Sequence, residues 1–379
     1  TWRLSLRIRI TSMALTTVRP QGMGFNTGRR NLIINGAMQV VQRGTVSGLT
    51  GSSYGGPDRF RLGLSGAGTH RILQSATVPS GAGFASSWRL DCTTADTSIT
   101  SADQISCQYR IEGQDLQELK KGTSSAEKVT LSFWVRSSLT GTYVVELNDK
   151  DNTRHIAKTY TISQADTFEY KTLTFDGDTT GTLDNDSQRS FQINWWLAAG
   201  STYTSGTLAT SWASEVSANR AAGLNVNLAS STDNNWYLTG VQLEVGSNAS
   251  DFEHRSFGEE LAACQRYYQK TFAYATVPAQ NLDTYSGSIM GVARSVTSTS
   301  AWEPCGTWDL AVSMRATPSI VSFNPYVANA EWGNSSAVSS SNFRVLASTA
   351  DRISCDNTGN TVNFGSNNPA IQLTAEAEL

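Results

Sequence analysis

Gly51-Ser52-Ser53-Tyr54-Gly55 has the G-x-S-x-G spacing that presents a nucleophilic serine on a strand-to-helix turn. The surroundings do not supply that turn. They form a Gly/Ser stretch, read as a loop over 47–57, that ends in Gly56-Pro57. A triad also needs a histidine base, and His70, His155 and His254 lie far apart. His155 follows the charged turn Asp149-Lys150-Asp151-Asn152 and is expected in solvent, whereas His254 is expected to pack or hydrogen-bond. Polysaccharide cleavage would need two carboxylates. The pairs Asp149/Asp151 and Asp184/Asp186 sit in polar turns, where aspartate usually bonds the local backbone. Carboxylates with loop carbonyls also suit a structural calcium ion, although no run has EF-hand spacing. No other cofactor is indicated. Lys120-Lys121-Gly122-Thr123 reverses the order of a phosphate-binding loop. Cys92, Cys107, Cys264, Cys305 and Cys355 show neither C-x-x-C nor zinc-type spacing. They read as free, mostly buried thiols of a protein made in a reducing compartment. No catalytic residue is assigned, and the chain is expected not to be an enzyme.

Tryptophan says more. Trp195 and Trp196 are adjacent, so a strand points them to opposite faces. Trp196 is expected on the outer face with Gln192 and Asn194; Trp134, out of phase with Phe133, is expected outside too. An exposed ring beside amides and hydroxyls suits a sugar: the ring covers the pyranose C–H face and polar groups take the hydroxyls. Trp302, Trp308 and Trp332 lie in or near C-terminal loops, and loops on a rigid scaffold often carry recognition. The glycan-binding candidates are therefore Trp134, Trp196, Trp302, Trp308 and Trp332, with the C-terminal ones favoured. The competing reading for each is burial under a loop or between subunits.

The elements that position these rings are strands. Val129, Leu131, Phe133 and Val135 share one face, and 142–148, His155–Ile162, Phe168–Phe175, 190–197 and Trp236–Val245 continue the period of two. Gly240 is expected to mark a bulge. A first strand is expected within Asn31–Gly44, and Asp58–Leu62 resumes the alternation. Gln114–Lys121 reads as a short helix, and Gly258–Lys270 as a second, with Leu261, Cys264, Tyr267 and Tyr268 on one stripe. Tyr285–Val296, Leu310–Phe323, Phe343–Leu346 and Thr361–Leu373 are later strand candidates. The fold class is all-β, with strand spacing that fits a jelly-roll sandwich. Composition agrees: 39% of the 379 residues are hydrophobic, and 16% are charged, below the usual quarter. The 10 Trp and 12 Tyr exclude a disordered chain.

Net charge is −3, so no global basic field invites nucleic acid. No apolar run reaches the roughly 20 residues of a helical membrane span. The first 30 residues carry six Arg and no acid. Within them Trp2, Leu4, Leu6 and Ile8 alternate with Arg3, Arg7 and Arg9, the pattern of a strand with an apolar and a basic face. Trp2, Arg3, Leu4, Leu6, Arg7, Ile8 and Arg9 are read as a docking strand that adds to another protein.

Several stretches resemble bacteriophage tail fibre proteins, particularly those of marine phages. One runs from Arg29-Arg30-Asn31-Leu32-Ile33-Ile34-Asn35-Gly36 to Gln42-Arg43-Gly44. Others are Tyr109–Leu116, Thr130–Ser137, Leu238–Gly246, Cys264-Gln265-Arg266-Tyr267-Tyr268 and Met314-Arg315-Ala316-Thr317-Pro318. The resemblance implies a virion-attached protein assembled in the host cytoplasm, a jelly roll like those of carbohydrate-binding modules, and a homotrimer. It carries over no catalytic residues. The expected organisation is a docking segment and linker over 1–30, a jelly roll over 31–256, and a smaller β-rich tip over 257–379 led in by the second helix. The expected partners are other phage structural proteins, through the N-terminus, and a host surface glycan or other receptor. The expected function is host attachment. The alternatives are a structural connector or head fibre with no receptor site, and a capsular depolymerase.

Overall fold

The computed structural model describes residues 29–284, 286–290, 303–333, 340–341, 343–357 and 369–379. The docking strand, Trp302 and the Cys305 side chain lie outside the described residues. Asn31–Leu379 forms one compact unit.

Eleven antiparallel strands come first: β1 (Val46–Tyr54), β2 (Phe60–Ser75), β3 (Ser87–Thr94), β4 (Gln104–Glu112), β5 (Val129–Ser137), β6 (Gly141–Asp149), β7 (Arg154–Ile162), β8 (Glu169–Phe175), β9 (Arg189–Ala199), β10 (Ala213–Ser214) and β11 (Asn235–Val245). The hydrogen-bonded order is β10-β7-β6-β9-β4-β2-β3-β11-β5-β8, with β1 paired to β2. This path folds into two layers because β2 changes partner midway. Phe60–Ser65 pair with β4, and Thr69–Ser75 pair with β3. Between them Gly66, Ala67 and Gly68 all have positive φ, which turns the strand from one sheet into the other. A Cβ on Gly66 would sit 2.0 Å from an Asp103 carboxylate oxygen, so the corner needs glycine.

The period-two residues meet between the layers. Phe133 of one sheet packs edge-on against Trp195 (5.9 Å) and Tyr160 (5.3 Å) of the other. Trp88 and Trp236 add a second edge-on pair at 6.0 Å. The all-β jelly-roll class is therefore what the chain adopts, and each strand expected between 129 and 245 is present.

Other expectations need correction. The 47–57 loop is strand β1, whose pairing with β2 shifts register three times. Small Gly and Ser residues follow those irregularities, and their lack of apolar alternation hid the strand. The first strand expected within 31–44 is instead a buried irregular segment. Asn35 turns it, with φ 61°, by donating to the carbonyls of Val40 and Asp58 and accepting from Val40 N–H. The segment expected as a helix over 114–121 is a 3₁₀ turn, Gly113–Leu119.

The second helix is shorter than expected. It spans Phe257–Gln265, opened by a Ser256/Glu259 capping box. Tyr268–Lys270 then form β12, paired with Ala370–Glu376. Tyr267 leaves the helical stripe to donate its hydroxyl to Glu112 (2.5 Å) and to lie under the Arg59 guanidinium. These tertiary contacts outweigh the local helical pattern. Around Ala370–Glu376 gather β12, Ile289–Met290, Ser319–Phe323 and Trp332–Gly333, while Glu303–Asp309, Arg352–Asn357 and Phe343–Ser348 make a separate three-stranded sheet. Of the expected strand over 310–323, only Ser319–Phe323 pairs. Glu303–Asp309 and Arg352–Asn357 were not anticipated. Cys92, Cys107, Cys264 and Cys355 are buried, and burial pushes the Cys107 and Cys264 thiols well up.

Candidate functional site

A groove of about 480 Å³ lies on the outer face of the β5–β8–β11 sheet. Alternation sends Ser132 and Trp134 of β5 outward, and the register sets Trp134 against Tyr170 and Ser132 against Thr172 on β8. The Trp134 and Tyr170 rings are 5.3 Å apart and tilted by 47°. Tyr170 is 46% exposed.

On the other side β11 carries the bulge that its glycine suggested, between Thr239 and Gln242. Gly240 there has φ +60°, and a Cβ would lie 2.6 Å from the Phe84 ring and 3.1 Å from Trp134. The missing side chain lets Phe84, from the β2–β3 loop, close down beside Trp134. Phe84 meets Phe252 edge-on at 5.0 Å, and His254 stands 4.9 Å from Phe252. The loop carrying Phe252 is tied to β11: Ser250 donates twice to Glu244 (2.8 and 2.6 Å), and Glu253 N–H donates to Gln242 (2.8 Å). Four rings, the hydroxyls of Ser132, Thr172 and Ser250, and the Asp251 carboxylate thus line one fixed concavity. Replacing Gly240 with alanine is expected to destabilise the fold by about 1–3 kcal/mol through the left-handed backbone alone. It should also narrow the groove by pushing Phe84 aside, which thermal melting and Trp fluorescence would report.

The remaining candidates are placed differently. Trp196 does face outward from β9, but it is 1% exposed. The chain after β9 covers it, with Tyr203 at 5.2 Å, Arg220 over its ring at 5.2 Å, and its indole N–H donated to Glu146 (3.2 Å). Its expected exposure is therefore corrected. Trp332 is fully buried in the small C-terminal core and donates to Asp356 O (3.2 Å), so its expectation is corrected too. Trp308 is half-buried and packs on both small C-terminal clusters. The ring-lined groove belongs to the sandwich, and of the five candidates it contains Trp134. Phe84, Tyr170 and Phe252 went unremarked as site residues. Tyr170 shares the outward phase of its strand, a signal that becomes specific only once β8 is known to neighbour β5.

The chemistry-bearing groups are engaged elsewhere. Ser53 Oγ donates to Tyr54 O (2.9 Å), and His70 bonds Ala67 O (2.8 Å). His155 is buried, not solvated as expected; its Nδ1–H meets Glu146 Oε1 at 3.0 Å. Burial alone would raise the Glu146 pKa. The bond from His155 and the Arg220 guanidinium outweigh burial and bring it down to about 2. Among the described residues no group of three His, Cys, Asp or Glu could hold a metal. At Asp149 the cation is Lys121: its ammonium bonds Asp149 and Asp178 (3.0 Å) and the carbonyls of Gly181 (2.9 Å) and Thr180 (3.3 Å). Calcium does not fit there. Asp186 accepts from Gln188 N–H (2.8 Å), the local backbone bonding expected of turn aspartates, whereas Asp151 accepts from Asp184 N–H (2.9 Å), 33 residues along the chain.

No family model and no curated protein sequence matches the chain. Solved structures do. The enzymatically active domain of tailspike protein 4 from bacteriophage CBA120 is 12% identical, with TM-score 0.29, over 57% of this chain and 21% of that one. A family 11 carbohydrate-binding module from Clostridium thermocellum is 10% identical, with TM-score 0.26, over 55% of this chain and 98% of that one. A xylan-binding domain from Paenibacillus barcinonensis is 10% identical, with TM-score 0.25, over 59% of this chain and 99% of that one. The chain thus spans about a fifth of the tailspike domain and nearly the whole of the two binding modules.

Proposed function

We propose that this chain is a virion appendage protein of the tail-fibre kind that attaches to the host surface by binding glycan in the Trp134–Tyr170 groove. The observation that carries the reading is the groove itself: one exposed and three half-buried rings, hydroxyls and a carboxylate held together by a bulge and a tethered loop. Ring faces take the C–H face of a pyranose, and the polar rim takes its hydroxyls. The virion setting rests on the sequence resemblance. A homotrimer would multiply weak sugar contacts through effective concentration, so each groove need bind only weakly. The N-terminal strand would join the appendage to other phage proteins by strand addition. The protein acts in this reading by holding, not by cleaving.

Titrating host envelope oligosaccharides by calorimetry tests it. Trp134→Ala is expected to weaken binding about 30-fold, the loss of one anchoring ring worth about 2 kcal/mol, while the melting temperature stays close to wild type. Equal affinity in the variant would refute the groove. New reducing ends appearing during incubation would show a depolymerase instead.

A further inference from the structure

We propose that the sandwich carries a second binding site, an oxyanion site for a saccharide bearing carboxylate or sulfate, built on Arg61, Arg110 and Arg189. It lies in the layer opposite the Trp134–Tyr170 groove and goes beyond the reading above. Period-two alternation buries Phe60 and Leu62 of β2, Cys107, Tyr109 and Ile111 of β4, and Phe191 and Ile193 of β9 in the core. The intervening Arg61, Gln108, Arg110 and Gln192 therefore share the outer face. There the register sets Arg61 against Gln108 and Arg110 against Gln192. Gly63 leaves room for the Gln108 amide, which a Cβ there would strike. Both glutamines are buried and turn their oxygens to the arginines. Gln108 Oε1 accepts from Arg61 (2.7 Å) and Arg110 (3.4 Å), and Gln192 Oε1 accepts from Arg110 and Arg189 (both 3.2 Å). Their amide nitrogens are spent on Ser106 (3.1 Å) and Asn194 (2.6 Å).

Three guanidiniums thus converge on two neutral amide oxygens. Among the described residues none of them makes an ion pair with a side-chain carboxylate. Arg110 also bonds the main-chain oxygen of Leu379, which the Tyr54 hydroxyl shares at 3.3 Å and which answers at most one of the three charges. The flanking carboxylates serve other cations. Glu112, opposite Arg189 in the register, holds Arg266 (2.7 Å). Glu215 holds Lys150 (3.4 Å) and Arg220 (3.5 Å), and Glu376 and Glu378 hold Arg43 (3.6 and 3.3 Å). Tyr54 stays neutral, because burial raises its pKa. Burial and the neighbouring guanidiniums lower the pKa of Arg61 and of Arg189, the mark of like charges left facing one another. An oxyanion bound between them removes that repulsion and gains forked, charge-assisted hydrogen bonds. The surroundings favour a sugar over an acidic peptide. Arg61 also lines a cavity of about 430 Å³ with Ser52, Ser53 and Tyr54, whose hydroxyls and ring suit a pyranose with its charged substituent on the arginines.

Calorimetry at low salt and pH 7 tests this. The probes are a galacturonate tetramer and its neutral methyl ester, a sulfated galactose tetramer and its unsulfated counterpart, and tetraglutamate. Wild type is expected to bind at least one charged sugar about tenfold more tightly than its neutral counterpart, with the preference shrinking at high salt. Arg61→Gln and Arg189→Gln should each erase most of that preference. Each removes a like charge from the trio, so neither should lower the melting temperature, whereas losing a merely structural arginine would. Equal affinity for charged and neutral sugars, or a preference that survives both substitutions, would overturn the site. A lower melting temperature in both variants would show the trio to be structural and overturn it too. Tetraglutamate binding as tightly as the charged sugars would overturn the saccharide assignment in favour of an acidic peptide. None of these outcomes bears on the groove in the other layer, which Trp134→Ala reads.

Discussion

Replacing Glu146 with alanine is expected to remove about 3–5 kcal/mol of folding stability, the loss typical when one member of a buried ionic network is deleted. Glu146 is fully buried on β6 beneath the segment that follows β9. It accepts hydrogen bonds from His155 Nδ1 (3.0 Å), Asn194 Nδ2 (3.0 Å), Trp196 Nε1 (3.2 Å) and Arg220 Nε (2.9 Å). Truncation leaves these donors without this acceptor and leaves the Arg220 guanidinium, among the described residues, only the more distant Glu215 carboxylate at 3.5 Å, a loss that burial makes costly. The same carboxylate shapes the acid limb. Its folded pKa of about 2 lies below the ordinary value of 4.5. The stability this shift contributes is therefore fully present above pH ~4.5 and lost as pH falls towards ~2, to a total of about 3 kcal/mol. Urea unfolding from pH 7 down to 2 should show wild type losing that increment, and Glu146→Ala should have a flatter acid limb. A variant within about 1 kcal/mol of wild type at pH 7 would mean that Glu146 does not organise this face.

Lys121→Met is expected to cost a comparable amount, about 3–5 kcal/mol, for the mirror-image reason. The Lys121 ammonium lies beneath the Trp212 ring at 5.0 Å, with 3% of its side chain exposed. It answers the buried carboxylates of Asp149 and Asp178 and two loop carbonyls. Burial would raise the Asp178 pKa, but bonds from Arg154 and Lys121 hold it below the usual range. Methionine keeps the volume and deletes the charge. Asp149 then stays fully buried facing another carboxylate, with its remaining partners being backbone N–H groups of its own turn and the Asn152 amide. Guanidinium unfolding should show a lower midpoint with an unchanged slope, and amide exchange at Gly122, which donates to Asp178 O, should quicken. An unchanged midpoint would show the carboxylates to be neutralised by other means.

The sandwich was legible because period-two alternation is a local signal: each strand from β5 to β9, and β11, states which side chains face inward, and burial rewards that choice wherever the strand ends up. Alternation also placed Trp196 outside β9 and Trp134 outside β5. It could not say that one outer face is covered and the other open. The segment over Trp196 and His155 runs through turns and short bridges with no period to read, and Arg220 reaches Glu146 across 74 residues of chain. Buried polar residues such as Glu146, Lys121 and Asp149 look like solvated turn and surface residues in one dimension, because only a partner from elsewhere in the chain makes their burial tolerable.

The groove divides the same way. Types and phase in the chain alone marked Trp134 as outward and Gly240 as a bulge. Tyr170 stands beside Trp134 because β8 pairs with β5 in one register, and Phe84 and Phe252 arrive on two separate loops, one between β2 and β3 and one after β11. Strand identity is decided by neighbours two residues away, so the sequence by itself determined the layers. Sheet order, cover and the meeting of four rings depend on contacts between residues far apart along the chain, and those only the tertiary structure decided.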